Sequence, residues 1–187
     1  RPAEKMIPHV LQGLWQLMDT RRLAGATVSS VPLAADIREA FPSLRLTASI
    51  LLDISTPIQV SMLGDVFDVL VPSSRIVRDL ASLRQVRRTF PGAIRLIVNE
   101  GCLPGCIFRV QHFYEMGAGT DYPRSLCEEF LDRHPELRLL GAWILPQHLP
   151  FYQGLFDELK LAGRVTLQEP ESYRKVLEHY IRGFSLM

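Results

Sequence analysis

Ile94-Arg95-Leu96-Ile97-Val98-Asn99-Glu100-Gly101-Cys102-Leu103-Pro104-Gly105-Cys106 reads as a buried strand that runs into a bent loop. The apolar run Ile94 to Val98 is the strand. Gly101, Pro104 and Gly105 let the backbone turn tightly, so Cys102 and Cys106 can approach one centre. Two of the three cysteines therefore sit just past a strand end, and Cys127 follows further along. In open α/β folds and barrels, chemistry is placed at the C-terminal ends of strands.

Working outward, helical and strand patterns alternate. A helix is expected over 7–20, with Ile7, Val10, Leu11, Leu14, Leu17 and Met18 on one face. Strand 24–30, helix 32–41, strand 46–52, short helix 57–63 and strand 66–71 follow. Ser73 or Ser74 can cap a helix running to about Phe90. Beyond the strand 94–98 and its loop, an irregular region reaches about Tyr122, with a helix over 124–133. A strand over 139–145, a short helix over 150–156, a strand over 158–162 and a helix over 171–184 complete the pattern.

Such alternation implies a parallel sheet covered by helices. The fold class is α/β, a (β/α)8-type barrel. Six strands are visible where a closed barrel has eight in typically about 250 residues. The chain also opens in a helix that precedes a strand, so a first strand–helix–strand unit is expected to be absent and the barrel incomplete. The competing reading is a six-stranded open sheet. No linker divides residues 1–187, so one domain is expected.

Composition narrows the class. The net charge is +1 over 187 residues, which forces neither a nucleic-acid nor a membrane partner. No run reaches the roughly 18 apolar residues of a membrane span. An odd cysteine count in a chain too large to need disulfide staples points to a reducing, cytoplasmic setting.

The thiols suit zinc or an iron–sulfur cluster, with Cys102, Cys106 and Cys127 as ligands. The alternative is three buried, inert thiols. A fourth ligand would be His112, a substrate, water or a residue outside this chain. Asn99 and Glu100 end the strand, as substrate-binding or acid–base groups or as loop organisers. His112 is a ligand, a proton donor or an ordinary hydrogen-bonded histidine. Lys160 interrupts the last strand: Leu159 and Leu161 are expected to pack on helices, so Lys160 faces the barrel interior, with a ligand or an ion-pair partner. Arg164 at that strand's end is placed for an anionic substrate, and Arg75 follows another strand end. No phosphate loop, dinucleotide fingerprint or nucleophile elbow is present in the sequence.

Three segments share a family likeness. They are Arg95 to Arg109 with His112, Phe67 to Pro72 with Arg78-Asp79, and Trp143 to Leu149 with Tyr152 and Leu159 to Arg164. Together they resemble the collagenase-like peptidases of family U32, over roughly residues 24–183. That family also holds oxygen-independent iron–sulfur hydroxylases acting on ubiquinone precursors, tRNA and ribosomal RNA. The resemblance implies a (β/α)8 barrel and a 4Fe-4S cluster on Cys102, Cys106 and Cys127. It places Glu100, Arg109, His112, Lys160 and Arg164 around the barrel mouth. Glu100, His112 and Lys160 are the expected catalytic groups, and Asn99, Arg109 and Arg164 are expected on the substrate. The chain departs from the better-known hydroxylases in having three cysteines and a different loop.

The expected function is oxygen-independent hydroxylation of an aromatic small molecule or RNA base by an iron–sulfur barrel enzyme. The rivals are a metal-dependent peptidase or hydrolase, with zinc in place of the cluster, and a non-catalytic subunit stabilised by cluster or zinc. A protein partner or a missing segment completing the barrel is expected.

Overall fold

Five parallel strands form one sheet: β1 (Gly25–Val28), β2 (Arg45–Ala48), β3 (Val69–Leu70), β4 (Ala93–Ile97) and β5 (Glu158–Lys160). Each pairs with the next in chain order, from Gly25 beside Arg45 to Ile97 beside Lys160. That order is the winding of a barrel, since a doubly wound sheet reverses at a switch point. The computed structural model describes residues 2–19, 23–118, 126–162 and 170–184. Its helices are α1 (Pro2–Asp19), α2 (Val31–Ala40), α3 (Pro57–Ser61), α4 (Leu80–Thr89), α5 (Arg109–Ala118), α6 (Leu126–Arg133) and α7 (Pro170–Phe184). The expected α/β barrel-type fold is present as a partial barrel, and none of these helices is long and apolar enough to cross a membrane.

The sheet is apolar on both faces, as parallel sheets are. Leu46, Ala48, Leu70, Ile94, Leu96 and Val98 join the main core, where Leu159 and Leu161 also pack. Ala34 and Ile37 of α2 and Leu83 and Val86 of α4 are buried in the same core. The alternate positions Val69, Val71 and Ile97 are buried outside that cluster. Their face also carries an ionic group: Glu158 accepts from Arg95 at 2.6 Å and from Arg45 of β2. Lys160 lies two positions beyond Glu158 and so shares its side of the strand.

Caps place the helices. Ser30 accepts from the Leu33 N–H at 3.4 Å, with Pro32 in the first turn of α2. Thr56 and Gln59 form a reciprocal capping box on α3. Asp79 accepts from the Ala81 and Ser82 N–H groups and starts α4 at Leu80. The expected cap at Ser73 or Ser74 is therefore displaced: the Ser73 hydroxyl donates to Asp53, and the Ser74 hydroxyl accepts from Arg109 of α5.

Two further expectations are corrected. Residues 139–145 are not a strand. Pro135–Leu140 is a 3-10 helix with Leu139 and Leu140 exposed, and only Ala142 and Ile144 beyond Gly141 turn inward. These two donate to the Cys102 and Val98 carbonyls at 3.0 and 2.9 Å, and Trp143 bridges Asn99 in antiparallel sense. The segment straps the cysteine loop instead of extending the sheet, so the sheet has five strands among the described residues. The region after the loop, expected to be irregular, contains α5.

Asp68 ties the crossover from α2 to the sheet. Its Oδ2 accepts from the Leu46 N–H at 2.7 Å and from Arg38 at 2.6 Å, while Arg38 also donates to the Pro42, Leu44 and Val66 carbonyls. Partial burial works against the charged carboxylate, but the Leu46 N–H and the Arg38 guanidinium outweigh it and hold the carboxyl below its ordinary value of 3.8. A depressed carboxylate adds stability that is whole above its unfolded pKa and is lost as pH falls through the folded one. Asp68→Asn is expected to cost about 1 kcal/mol at neutral pH, the exposed share of the pair being screened by solvent. Urea unfolding of the variant should also show a shallower loss of stability below roughly pH 4 than the parent chain.

Candidate functional site

The site begins where β4 ends. The Asn99 amide donates to the Ala162 carbonyl and accepts from the Ala162 N–H, both at 2.6 Å. The side chain thus imitates one further rung between β4 and β5, and both its polar ends are engaged. Glu100 turns back on the loop and accepts from the Cys102 N–H at 3.3 Å. Leu103 to Cys106 close a turn through the Cys106 N–H and the Leu103 carbonyl, with Gly105 at φ 73° in the left-handed region.

Trp143 lies over this loop. Its indole N–H donates to the Arg138 carbonyl at 3.1 Å, and its ring covers Gly101. Arg78 donates to the Gly141 carbonyl at 3.0 Å, and the Tyr180 hydroxyl reaches the Val98 and Ile144 carbonyls. Strap, loop and α7 are therefore stitched together through backbone carbonyls.

All three thiols are free and partly buried. Burial raises the Cys127 thiol of α6, and the neighbouring Cys106 thiol adds to the rise. Burial pushes the Cys102 thiol up to about 12, with the Glu100 carboxylate adding to the rise and Arg109 opposing it. Phe108 packs on Phe130 at 6.4 Å, and Phe130 on His134 at 4.9 Å, which holds α6 against the start of α5. His112 lines a small cavity of about 20 Å³ together with Cys127, Phe108 and Glu115. Among the described residues, no group of three or more His, Cys, Asp or Glu side chains stands in a metal-coordinating arrangement.

A larger cleft of about 460 Å³ opens beside the thiols, lined by Cys106, Arg109, Asp53, Arg75, Phe113 and Tyr114 among others. Asp53, itself at φ 52°, accepts from Ser73 and from Arg75 at 3.0 Å. Arg109 donates to the Ser74 hydroxyl and to the Ile50 carbonyl and lies over the Phe113 ring. The structure thus brings together Glu100, Cys102, Cys106, Arg109, His112 and Cys127 near one strand end. Lys160 stands on the adjacent strand with its own partner, and Arg164 falls outside the described residues. Asp53, Ser73 and Ser74 are additions. Their only sequence signal is the Pro72-Ser73-Ser74-Arg75 run after β3, which also suits a helix cap.

No family model matches the chain. A curated protein of Methanocaldococcus jannaschii, "Uncharacterized protease MJ1657", is 30% identical over 108 residues, covering 54% of this chain and 32% of that protein. The solved structure of the U32 peptidase Mk0906 superposes with a TM-score of 0.60 over 82% of this chain and 60% of that one, at 16% identity. The resemblance to family U32 holds. The U32 likeness is one of fold, the sequence likeness is to the Methanocaldococcus jannaschii protein, and the chain spans about a third of that protein's length.

Two substitutions test the loop's supports. Asn99→Ala strands the Ala162 N–H and carbonyl and should cost about 1–3 kcal/mol in urea unfolding. At Gly141 an added Cβ would come within 2.6 Å of Trp143 Nε1 and 3.0 Å of the Gly101 carbonyl oxygen. Gly141→Ala should therefore displace Trp143, read as a change in tryptophan emission, and destabilise by about 1–3 kcal/mol.

Proposed function

We propose that the chain forms the thiol-bearing wall of an iron–sulfur barrel enzyme of the U32 type. The observation that supports this reading is that Cys127 of α6 neighbours Cys106 of the loop, with Cys102 on the same loop and His112 lining the same cavity as Cys127. Soft thiolates fit iron–sulfur clusters, and the donor chemistry suits a 4Fe-4S group held by Cys102, Cys106 and Cys127. His112, which lines the same small cavity as Cys127, is the proposed fourth donor. A thiol as reluctant to ionise as Cys102 stays a thiol at neutral pH unless a metal replaces its proton.

Such a cluster supplies electron transfer or an iron that polarises a bound substrate. The chain's own residues do the rest. Glu100 holds the loop by its Cys102 contact and is placed to move a proton at the strand end. Lys160 stands on β5, and Arg164, four positions on in the sequence, is proposed to hold the anionic group of a substrate with it. The reaction proposed is oxygen-independent hydroxylation of an aromatic small molecule or RNA base. A second reading, metal-assisted hydrolysis with zinc on the same thiols, is favoured by the names of the two similar proteins, a protease and a peptidase.

Anaerobic purification should yield iron and acid-labile sulfide in cluster ratio with a broad visible absorbance. Cys102→Ala and Cys106→Ala should each lose most of it, and Cys127→Ala likewise. Stoichiometric zinc without sulfide would replace the first reading with the second. Full metal content in Cys102→Ala would remove the thiol loop from either.

A further inference from the structure

Arg109 is the one charged side chain buried among the described residues, at 7% exposure. Its partners are a hydroxyl, a carbonyl and an aromatic ring: Ser74, Ile50 and Phe113 at 5.2 Å from the ring centroid. None carries a negative charge. The carboxylate that lines the same cleft, Asp53, is already taken by Ser73 and Arg75. A charge removed from water without a counter-ion is costly, and natural sites retain one where a ligand supplies the partner.

Geometry gives that ligand a place. Arg109 lines the 460 Å³ cleft, a volume within the roughly 300–1,000 Å³ range of small-molecule sites. It is also the first residue of α5, a ten-residue helix whose positive end therefore faces the same space. One N–H of each terminal guanidinium nitrogen is engaged with Ser74 or Ile50, which leaves donors of the fork unused. Apart from Ser29 and the Asp53–Arg75 pair, the walls are mainly apolar or aromatic, including Leu51, Ile107, Val110 and Tyr114.

We propose that this cleft binds the carboxylate of an aromatic or otherwise apolar acid, with Arg109 pairing the carboxylate and the apolar walls holding the body of the molecule. A planar guanidinium matches a carboxylate, and because Arg75 is already paired with Asp53 the cleft offers one uncompensated positive charge, which suits a singly charged acid better than phosphate. The inference stands apart from the metal reading, since every group it uses is in place without a metal.

The test is calorimetric titration of the full chain, metal-free, with benzoate, its neutral counterpart benzamide, and inorganic phosphate. Benzoate is expected to bind saturably and at least about tenfold more tightly than benzamide, the scale of one charge-assisted pair. Phosphate is expected to bind more weakly than benzoate. Arg109→Gln should reduce benzoate affinity by a similar factor while leaving benzamide unchanged, with circular dichroism checking the fold. Should that variant not fold, the benzoate–benzamide comparison in the unaltered chain decides. Equal binding of benzoate and benzamide, no saturable benzoate binding, or unchanged benzoate affinity in a folded Arg109→Gln variant would each overturn the proposal. Phosphate binding tighter than benzoate would overturn the assignment to a carboxylate.

Discussion

The paired hydrogen bonds between the Asn99 amide and the Ala162 backbone hold β4 and β5 together beyond the last regular rung. Everything at the candidate site is measured from that point. Because the amide stands in for a strand residue, the chain is released into the loop at Glu100. Cys102 then falls where the carbonyl of its own residue can accept from Ala142. A side chain of another length at position 99 would move the release point and with it both loop cysteines.

From there, Cys127 is brought toward the loop by packing. It sits on α6, and the Phe108–Phe130 contact holds that helix beside the start of α5, next to Cys106. The strap from Gly141 to Ile144 closes the other side, using Trp143 as a lid on Gly101. Glycine at 141 is required by this close approach, since any Cβ would strike the indole. The cleft beside the thiols has a different logic. Its ionic content is one satisfied pair, Asp53 with Arg75, and one buried cation held by neutral groups, Arg109.

Much of the fold was legible because parallel strands buried by the core are rich in apolar residues, as in Leu46 to Leu52 and Ile94 to Val98, while β5 was legible by its alternation, with Leu159 and Leu161 on the core side and Glu158 and Lys160 on the other. The strand at 139–145 was misread for the same reason: an apolar run without alternation does not say whether it is sheet, strap or exposed turn. Leu139 and Leu140 are exposed despite their type, and Gly141 breaks the run. Ser73 and Ser74 were read as caps because serine before a helix pattern is the commonest cap signal. Asp79, nearer the helix, supplies two stronger bonds to α4 and leaves the serines for Asp53 and Arg109.

By itself the sequence determined the alternation of strands and helices, the position of the cysteine loop at a strand end and the likeness to the U32 peptidases. These are local properties, carried by periodicity and by short runs of residues. Only the tertiary structure decided that Cys127 meets Cys106, that Asn99 is bound to β5, and that Arg109 is buried among neutral partners in a cleft. Each of those is a contact between segments distant in the chain, where the geometry of packing chooses among partners that residue type alone leaves equivalent.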